Sequence, residues 1–112
     1  MAIHTFAAIY IGSYEVSLKI FEISARKNIR KIDYIRSRIE LGRDAYSRGV
    51  IGYELVEALC DTLEQFTKIM KEYQVDGYEA YAAAALRDVS NELFILDQIR
   101  IRTAVSYTHL RA

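Results

Sequence analysis

The sequence predicts an α/β domain, and three observations carry that expectation. Up to about residue 41 the chain is strand-like, either apolar at successive positions or alternating with a period of two. At Tyr53 the apolar period lengthens to three and four and holds through Tyr73. A further strand-type run and a second helical pattern then follow.

Taken in order, "TFAAIYI" from Thr5 to Ile11 is apolar on both faces, the pattern of a central strand covered on each side. "EVSLKIFEI" sets Val16, Leu18 and Ile20 on one face against Glu15, Ser17 and Lys19 on the other, so it reads as a half-buried strand. After the polar turn "SARKN", the run "IRKIDYIRSRIEL" is a third strand in which Ile32 and Tyr34 alternate with Ile35, Ile39 and Leu41. Three strands so spaced form a meander. Residues Gly42 to Gly52, with three glycines and Ser47, are expected to be a loop. The helix from Tyr53 to Tyr73 carries Leu55, Leu59, Leu63, Phe66, Met70 and Tyr73 on one side, with Gly52 as N-cap and Glu54 and Glu57 at the positive end. Its stripe, at about 1.5–3 kcal/mol per fully buried large side chain, requires a sheet to lie on. A turn at Asp76-Gly77 leads to a strand from Tyr78 to about Ala83. The four alanines favour helix, but Ser90 as the cap of a later helix through Leu93, Leu96 and Ile99 places them at a strand end and turn. Strand, helix, strand in that order is a crossover, so the fourth strand should run parallel to the first.

Composition narrows the function classes. The 112 residues suffice for one domain with a real core. Fifteen Lys plus Arg balance fifteen Asp plus Glu, which favours neither nucleic acid nor an anionic membrane as partner. Nine tyrosines would suit base stacking, but no basic groove accompanies them. The lone Cys60 forms no internal disulfide, offers no metal-ligand spacing and implies a reducing, cytoplasmic setting; it reads as a small buried helix residue. His4 has no partner at metal or triad spacing. The N-terminus lacks the pattern of a signal peptide or a membrane span. Val105 to Ala112, "VSYTHLRA", continues neither helix nor strand and reads as a non-native, adapter-derived tail, so residues 1–104 are taken as the domain and His109 as no site.

Three segments in order, "AAIYIGSYEVSLKIFEI", "IELGRDAYSRGVIGYELVEAL" and "AYAAAALRDVSNELFILDQIRIRT", resemble the N-terminal lobe of the exopolyphosphatase and pppGpp phosphohydrolase family (Ppx/GppA). The resemblance spans Thr5 to Thr103. It implies an actin-like ATPase, ribonuclease H-like lobe: an antiparallel three-strand meander, a helix, a strand parallel to the first, and another helix. It also implies hydrolysis of terminal phosphoanhydride bonds of polyphosphate or pppGpp by the full-length protein, with Mg2+ as its cofactor and possible homodimer formation.

The family's first turn reads Asp-x-Gly-Ser-Asn-Ser-x-Arg-Leu, in which an acid places a cation or water and the Gly-Ser amides approach phosphate. Here Gly12, Ser13 and Leu18 match, while Tyr10 replaces the acid, Tyr14-Glu15 the Asn-Ser pair and Ser17 the arginine. A phenol with an ordinary pKa near 10 is no substitute for a carboxylate on a hard cation. The second signature, Ala-Thr-Ser-Ala-Leu-Arg-Asp-Ala-x-Asn, is matched at Ala82, Ala85, Leu86, Arg87, Asp88 and Asn91, with Ala83 and Ala84 in place of the hydroxyls. The resemblance makes Gly12, Ser13, Arg87 and Asn91 the phosphate-binding candidates. Arg87 reads equally as a partner of Asp88 or Glu92, and Asn91 as a helix-start residue. The Gly-Glu-Glu segment that holds the family's general base does not follow "IRIRTA", so no catalytic residue and no metal ligand is expected within the 112 residues. An enzyme lobe, a catalytically degenerate phosphate- or nucleotide-binding regulatory relative and a plain α/β interaction domain are the three readings that remain. An open apolar sheet edge beside "TFAAIYI" or "YEAYAA" is also expected.

Overall fold

The computed structural model describes residues 3–26, 28–103, 105 and 109–110. Strand β1 (His4–Ile11), β2 (Glu15–Ile23) and β3 (Ile29–Arg38) form the meander; helices α1 (Leu41–Arg48) and α2 (Tyr53–Tyr73) follow. Then come β4 (Gly77–Ala82), the single turn α3 (Ala84–Arg87), helix α4 (Glu92–Thr103) and the two-residue β5 (His109–Leu110). The sheet order is β3-β2-β1-β4-β5. β1 pairs antiparallel with β2 and parallel with β4, from Phe6 opposite Gly77 to Ile11 opposite Ala82. No described helix is long and apolar enough to cross a membrane.

The predicted loop at Gly42–Gly52 is instead mostly helix. Leu41 is fully buried and starts α1, and Gly49 ends it in the left-handed conformation at φ 69°, donating its N–H to the Ala45 carbonyl at 3.0 Å. The glycine therefore marks a helix terminus, not a mobile loop. The third strand stops at Arg38, so Ile39 and Leu41 enter the core from the connection and helix start. The long helix and its Gly52 N-cap have the bounds the period predicted, although its buried side includes Val56 and Cys60 while Leu55 and Tyr73 stay partly exposed.

The core lies between α2, α4 and one face of the sheet. Ala7, Ile9 and Ile11 of β1, with Val16, Leu18 and Ile20 of β2, meet Leu59, Leu63 and Phe66 of α2 and Ile95 and Ile99 of α4. Each large side chain removed from water contributes about 1.5–3 kcal/mol, far more than any surface pair. The expectation that β1 is covered on both sides fails on the second face, where Phe6 and Ala8 are partly and Tyr10 half exposed. The cause is topological: both crossovers, β3 to β4 and β4 to β5, advance in the same direction, and right-handed connections then deposit their helices on the same face. Ser17, expected to face solvent, is 5% exposed on that second face, between its strand neighbours Tyr10 and Arg36.

Arg102 of α4 fastens the helices together. Its guanidinium reaches Glu57 at 3.0 Å, Asp61, and Glu64 at 3.4 Å, three carboxylates of α2. Hydrogen bonding to Asp61, with further carboxylates nearby, holds the Arg102 pKa well above its ordinary value.

The sheet edge falls beside the second of the two segments expected, not the first. β3 is the outer strand on one side, and of the two segments expected beside an open edge β1 is flanked on both sides while β4 is paired beyond β1 only at Tyr81 and Ala82, with His109 and Leu110. Most of the predicted tail, 105–112, lies outside the described residues. Val105 is buried against the core and the backbone at 109–110 adds a short strand where no element was expected.

Candidate functional site

The chain leaves β1 toward β2 and leaves β4 toward β5, so the ends of these two parallel strands form the switch point at which open sheets of this kind have their crevice. Open α/β sheets bind ligands at such a switch point, outside the carboxyl ends of the strands. Both motifs singled out in the sequence meet here. The Ala83 N–H donates to the Ile11 carbonyl at 2.8 Å, which places the Ala83–Arg87 segment beside the Gly12-Ser13 turn.

The Gly12 N–H donates to the Glu15 carbonyl at 2.9 Å, so it closes the hairpin turn between β1 and β2. No larger residue fits: a Cβ at Gly12 would stand 2.9 Å from both the Glu15 carbonyl oxygen and the Tyr10 ring. The Ser13 carbonyl accepts the Gly42 N–H at 2.6 Å and the Tyr14 carbonyl accepts the Ile39 N–H at 3.2 Å, which clamps the turn onto the start of α1. The Ser13 hydroxyl lies 2.9 Å from the Tyr46 hydroxyl. Gly42 sits beneath, where a Cβ would come within 3.1 Å of Ser13 and the rings of Tyr14 and Tyr46. The sequence reading missed Gly42 and Tyr46. Their spacing of four brings them to one helix face, a signal hidden while the segment read as loop.

On the other side of the crevice, Ala83 is extended and accepts the Leu86 N–H at 3.1 Å, starting α3. Ala83 and Ala84 present methyl groups that are partly exposed. The Arg87 side chain is about one-third exposed and lies 3.5 Å from Asp88, the structural partner its neighbourhood suggested. Asn91 has a different placement: its amide nitrogen donates to the Ile51 carbonyl at 2.9 Å while its amide oxygen accepts the Ile51 N–H at 3.2 Å. It acts as a backbone mimic that latches the α1–α2 connection to the start of α4. Asp44 reinforces the same connection by accepting the Gly52 N–H at 2.8 Å.

Of the candidate residues, Gly12, Ser13, Ala83, Ala84 and Arg87 thus gather at the crevice. Tyr10, Tyr14 and Ser17 flank the first turn, Tyr10 and Tyr14 about half exposed. A tight backbone turn and a guanidinium on the neighbouring segment are the groups here that suit an anion, although the guanidinium lies 3.5 Å from Asp88 and the Gly12 N–H is bonded to the Glu15 carbonyl. Among the described residues, the carboxylates adjoining the two turns are paired: Glu15 lies 3.9 Å from Arg36 and Asp88 3.5 Å from Arg87. These residues do not fit a divalent cation. Phenols and methyl groups line the turns, and among the described residues no cluster of three His, Cys, Asp or Glu side chains could hold a metal.

Cys60 and Tyr73, outside the crevice, are among the titratable groups that are displaced. Burial pushes the Cys60 thiol pKa up, and a hydrogen bond to Asp33, 2.6 Å away, raises that of Tyr73.

No sequence model of a protein family matches the chain, and no curated protein matches it significantly. Solved structures match it well in shape. The Ppx/GppA family member from Aquifex aeolicus superposes with a TM-score of 0.92 at 24% identity, covering 96% of this chain and 35% of its own. An exopolyphosphatase from Cytophaga hutchinsonii gives 0.88 at 24% identity, covering 95% and 34%. The ethanolamine utilization protein EutJ from Carboxydothermus hydrogenoformans is more distant, at 0.53 and 9% identity over 95% of this chain. The chain therefore has the α/β, actin-like ATPase fold found in Ppx/GppA proteins, over about a third of their length.

Proposed function

We propose that the chain is the N-terminal lobe of a Ppx/GppA-type protein that, at full length, hydrolyses terminal phosphoanhydride bonds of polyphosphate or pppGpp, and that the 112 residues alone are inactive. The observation that carries this reading is the juxtaposition of the Gly12-Ser13 turn and the Ala83–Arg87 turn at the ends of two adjacent parallel strands. In hydrolysis, water attacks the terminal phosphorus, the bond to the bridging oxygen breaks, and orthophosphate departs. The part assigned to this chain is positional. The tight turn and the Arg87 guanidinium hold phosphate oxygens, while the base, the closing lobe and the ligands of any Mg2+ come from outside these residues. A cytoplasmic location and a homodimer at full length belong to the same proposal.

A second reading, a phosphate- or nucleotide-binding regulatory relative without chemistry, is favoured by one particular of the turn. Tyr14 and Tyr46 close over Gly42, and the Ser13 hydroxyl is engaged with Tyr46. Phosphate release from polyphosphate and from pppGpp, measured with Mg2+ for the 112-residue chain and for a longer protein containing it, separates the two. Release by the longer protein alone is the expected result. Binding without release by the longer protein selects the regulatory reading, and Mg2+-dependent release by the 112-residue chain overturns the division of labour.

A further inference from the structure

Helix α4 is apolar on two sides. Ile95, Ile99 and Thr103 are buried against the core, yet Leu93, Phe94 and Ile101 are 79, 45 and 69% exposed. Among the described residues the only other large exposed hydrophobics that are not tyrosines are Ile3 and Ile29, so this one helix concentrates them. A helix apolar all round is one that is covered all round. Leu93, Asp97 and Ile101 follow one another at steps of four and form a single outer ridge, with Phe94 beside it. In the middle of that ridge Asp97 accepts a hydrogen bond from Arg100, a turn further on. Charge also runs along the axis. Glu92 begins the helix, whereas at its far end Lys68 and Lys71 of α2 line the groove shared by Arg100 and Ile101. Among the described residues none of Glu92, Lys68 and Lys71 has an ion-pair partner.

We propose that the outer face of α4 is a homodimer interface, on which α4 of a second copy of this chain lies antiparallel across a two-fold axis. The ridge is complementary to its own reverse. With Asp97 at the axis, Leu93 meets Ile101 of the copy at both ends, and Arg100 stands about one helical turn from the copy's Asp97, within reach of its long side chain. The hollow of about 420 Å³ between Leu93, Phe94, Leu96, Asp97 and Arg100 gives the copy's Ile101 a place to enter. Charge selects the direction. An antiparallel copy turns the acidic start of each helix toward the basic end of the other, whereas a parallel one sets like charge against like. A partner of one sign fits less well, because the ridge itself carries one carboxylate and one guanidinium. The twelve residues of α4 span about 18 Å, short of what a standard interface of roughly 1,600 Å² needs, so the dimer is weak and reversible. This surface would serve the dimer included in the reading above, but it rests on α4 alone and stands if the phosphatase reading fails.

The test is sedimentation of the whole 112-residue chain over a range of concentrations. A reversible equilibrium between monomer and dimer is the expected result. The double variant Leu93→Asp, Ile101→Asp should weaken it by about tenfold or more, with an unchanged far-UV spectrum because both side chains already lie largely in water. Asp97→Arg and Arg100→Asp should each impair self-association, since each sets like charges across the axis. Mixed together, these two variants should pair about tenfold more tightly than either does with itself, a preference that the contact within one helix does not produce. A monomer at every concentration, a dimer indifferent to Leu93→Asp, Ile101→Asp, or no preference in the mixture would each overturn the proposal. So would a longer protein containing this chain that stays monomeric where the 112 residues dimerise, because the face would then belong to the rest of that polypeptide.

Discussion

Asn91 tests how a residue that a motif assigns to ligand can be claimed by the fold. Replacing Asn91 with Ala removes both hydrogen bonds to Ile51, at 2.9 and 3.2 Å. Ile51 is only 2% exposed, so its backbone N–H and C=O have little access to water once the amide is gone. Each lost bond costs about 1 kcal/mol net, and more where the stranded group stays dry. The sum is about 2–3 kcal/mol, or roughly 10–20 °C in Tm for a domain of this size. Asn91→Asp keeps the acceptor for the Ile51 N–H and loses the donor, so about half the destabilisation is expected. Arg87→Ala, which removes a partly exposed pair with Asp88, serves as the control and should cost no more than about 1 kcal/mol. Urea unfolding monitored by circular dichroism measures all three. A stability change for Asn91→Ala within about 0.5 kcal/mol of zero would refute the latch, and a simultaneous loss of phosphate binding would return the residue to the ligand.

Leu63→Ala, at a fully buried position facing the sheet from α2, should cost about 2–5 kcal/mol in the same assay through lost burial and the cavity left behind. Gly12→Ala should destabilise by about 1–3 kcal/mol, because its methyl group would meet the Glu15 carbonyl oxygen at 2.9 Å; a neutral effect would show that the turn opens freely. Cys60, with its thiol pKa raised by burial, should react slowly with a disulfide reagent at pH 8 until urea unfolds the chain. Because the folded pKa lies above the unfolded one, that stability is fully present below the unfolded value and declines as pH rises through it toward the folded pKa. Cys60→Ala should flatten this alkaline decline.

Much of the fold was legible along the chain because its strongest signals are local. The stripe of α2, the alternation of β2 and the order strand, helix, strand survive folding unchanged, since each reflects which side of one element meets a core. Glycine was the misleading residue. Gly42 and Gly49 suggested a loop, yet Gly42 provides close approach for two tyrosine rings and Gly49 a helix terminus, uses that depend on what lies opposite. At the crevice, the sequence identified the two turns through their order and resemblance. It did not disclose that Asn91 is bonded to Ile51, that Tyr46 covers Ser13, or that Arg102 gathers three acids from another helix. Those partners lie 33 to 45 positions away along the chain, with no intervening pattern to join them.

By itself, then, the sequence determined the first two strands, the long helix α2 and the parallel return of β4, because periodicity and connection length constrain these directly, while the two turns were marked by the resemblance alone. Only the tertiary structure decided which face of β1 is covered. "TFAAIYI" is apolar on both sides, and nothing local distinguishes Ile9 from Phe6 or Ala8. The handedness of two successive crossovers places α2 and α4 over Ala7, Ile9 and Ile11 and leaves Phe6, Ala8 and Tyr10 on the opposite face.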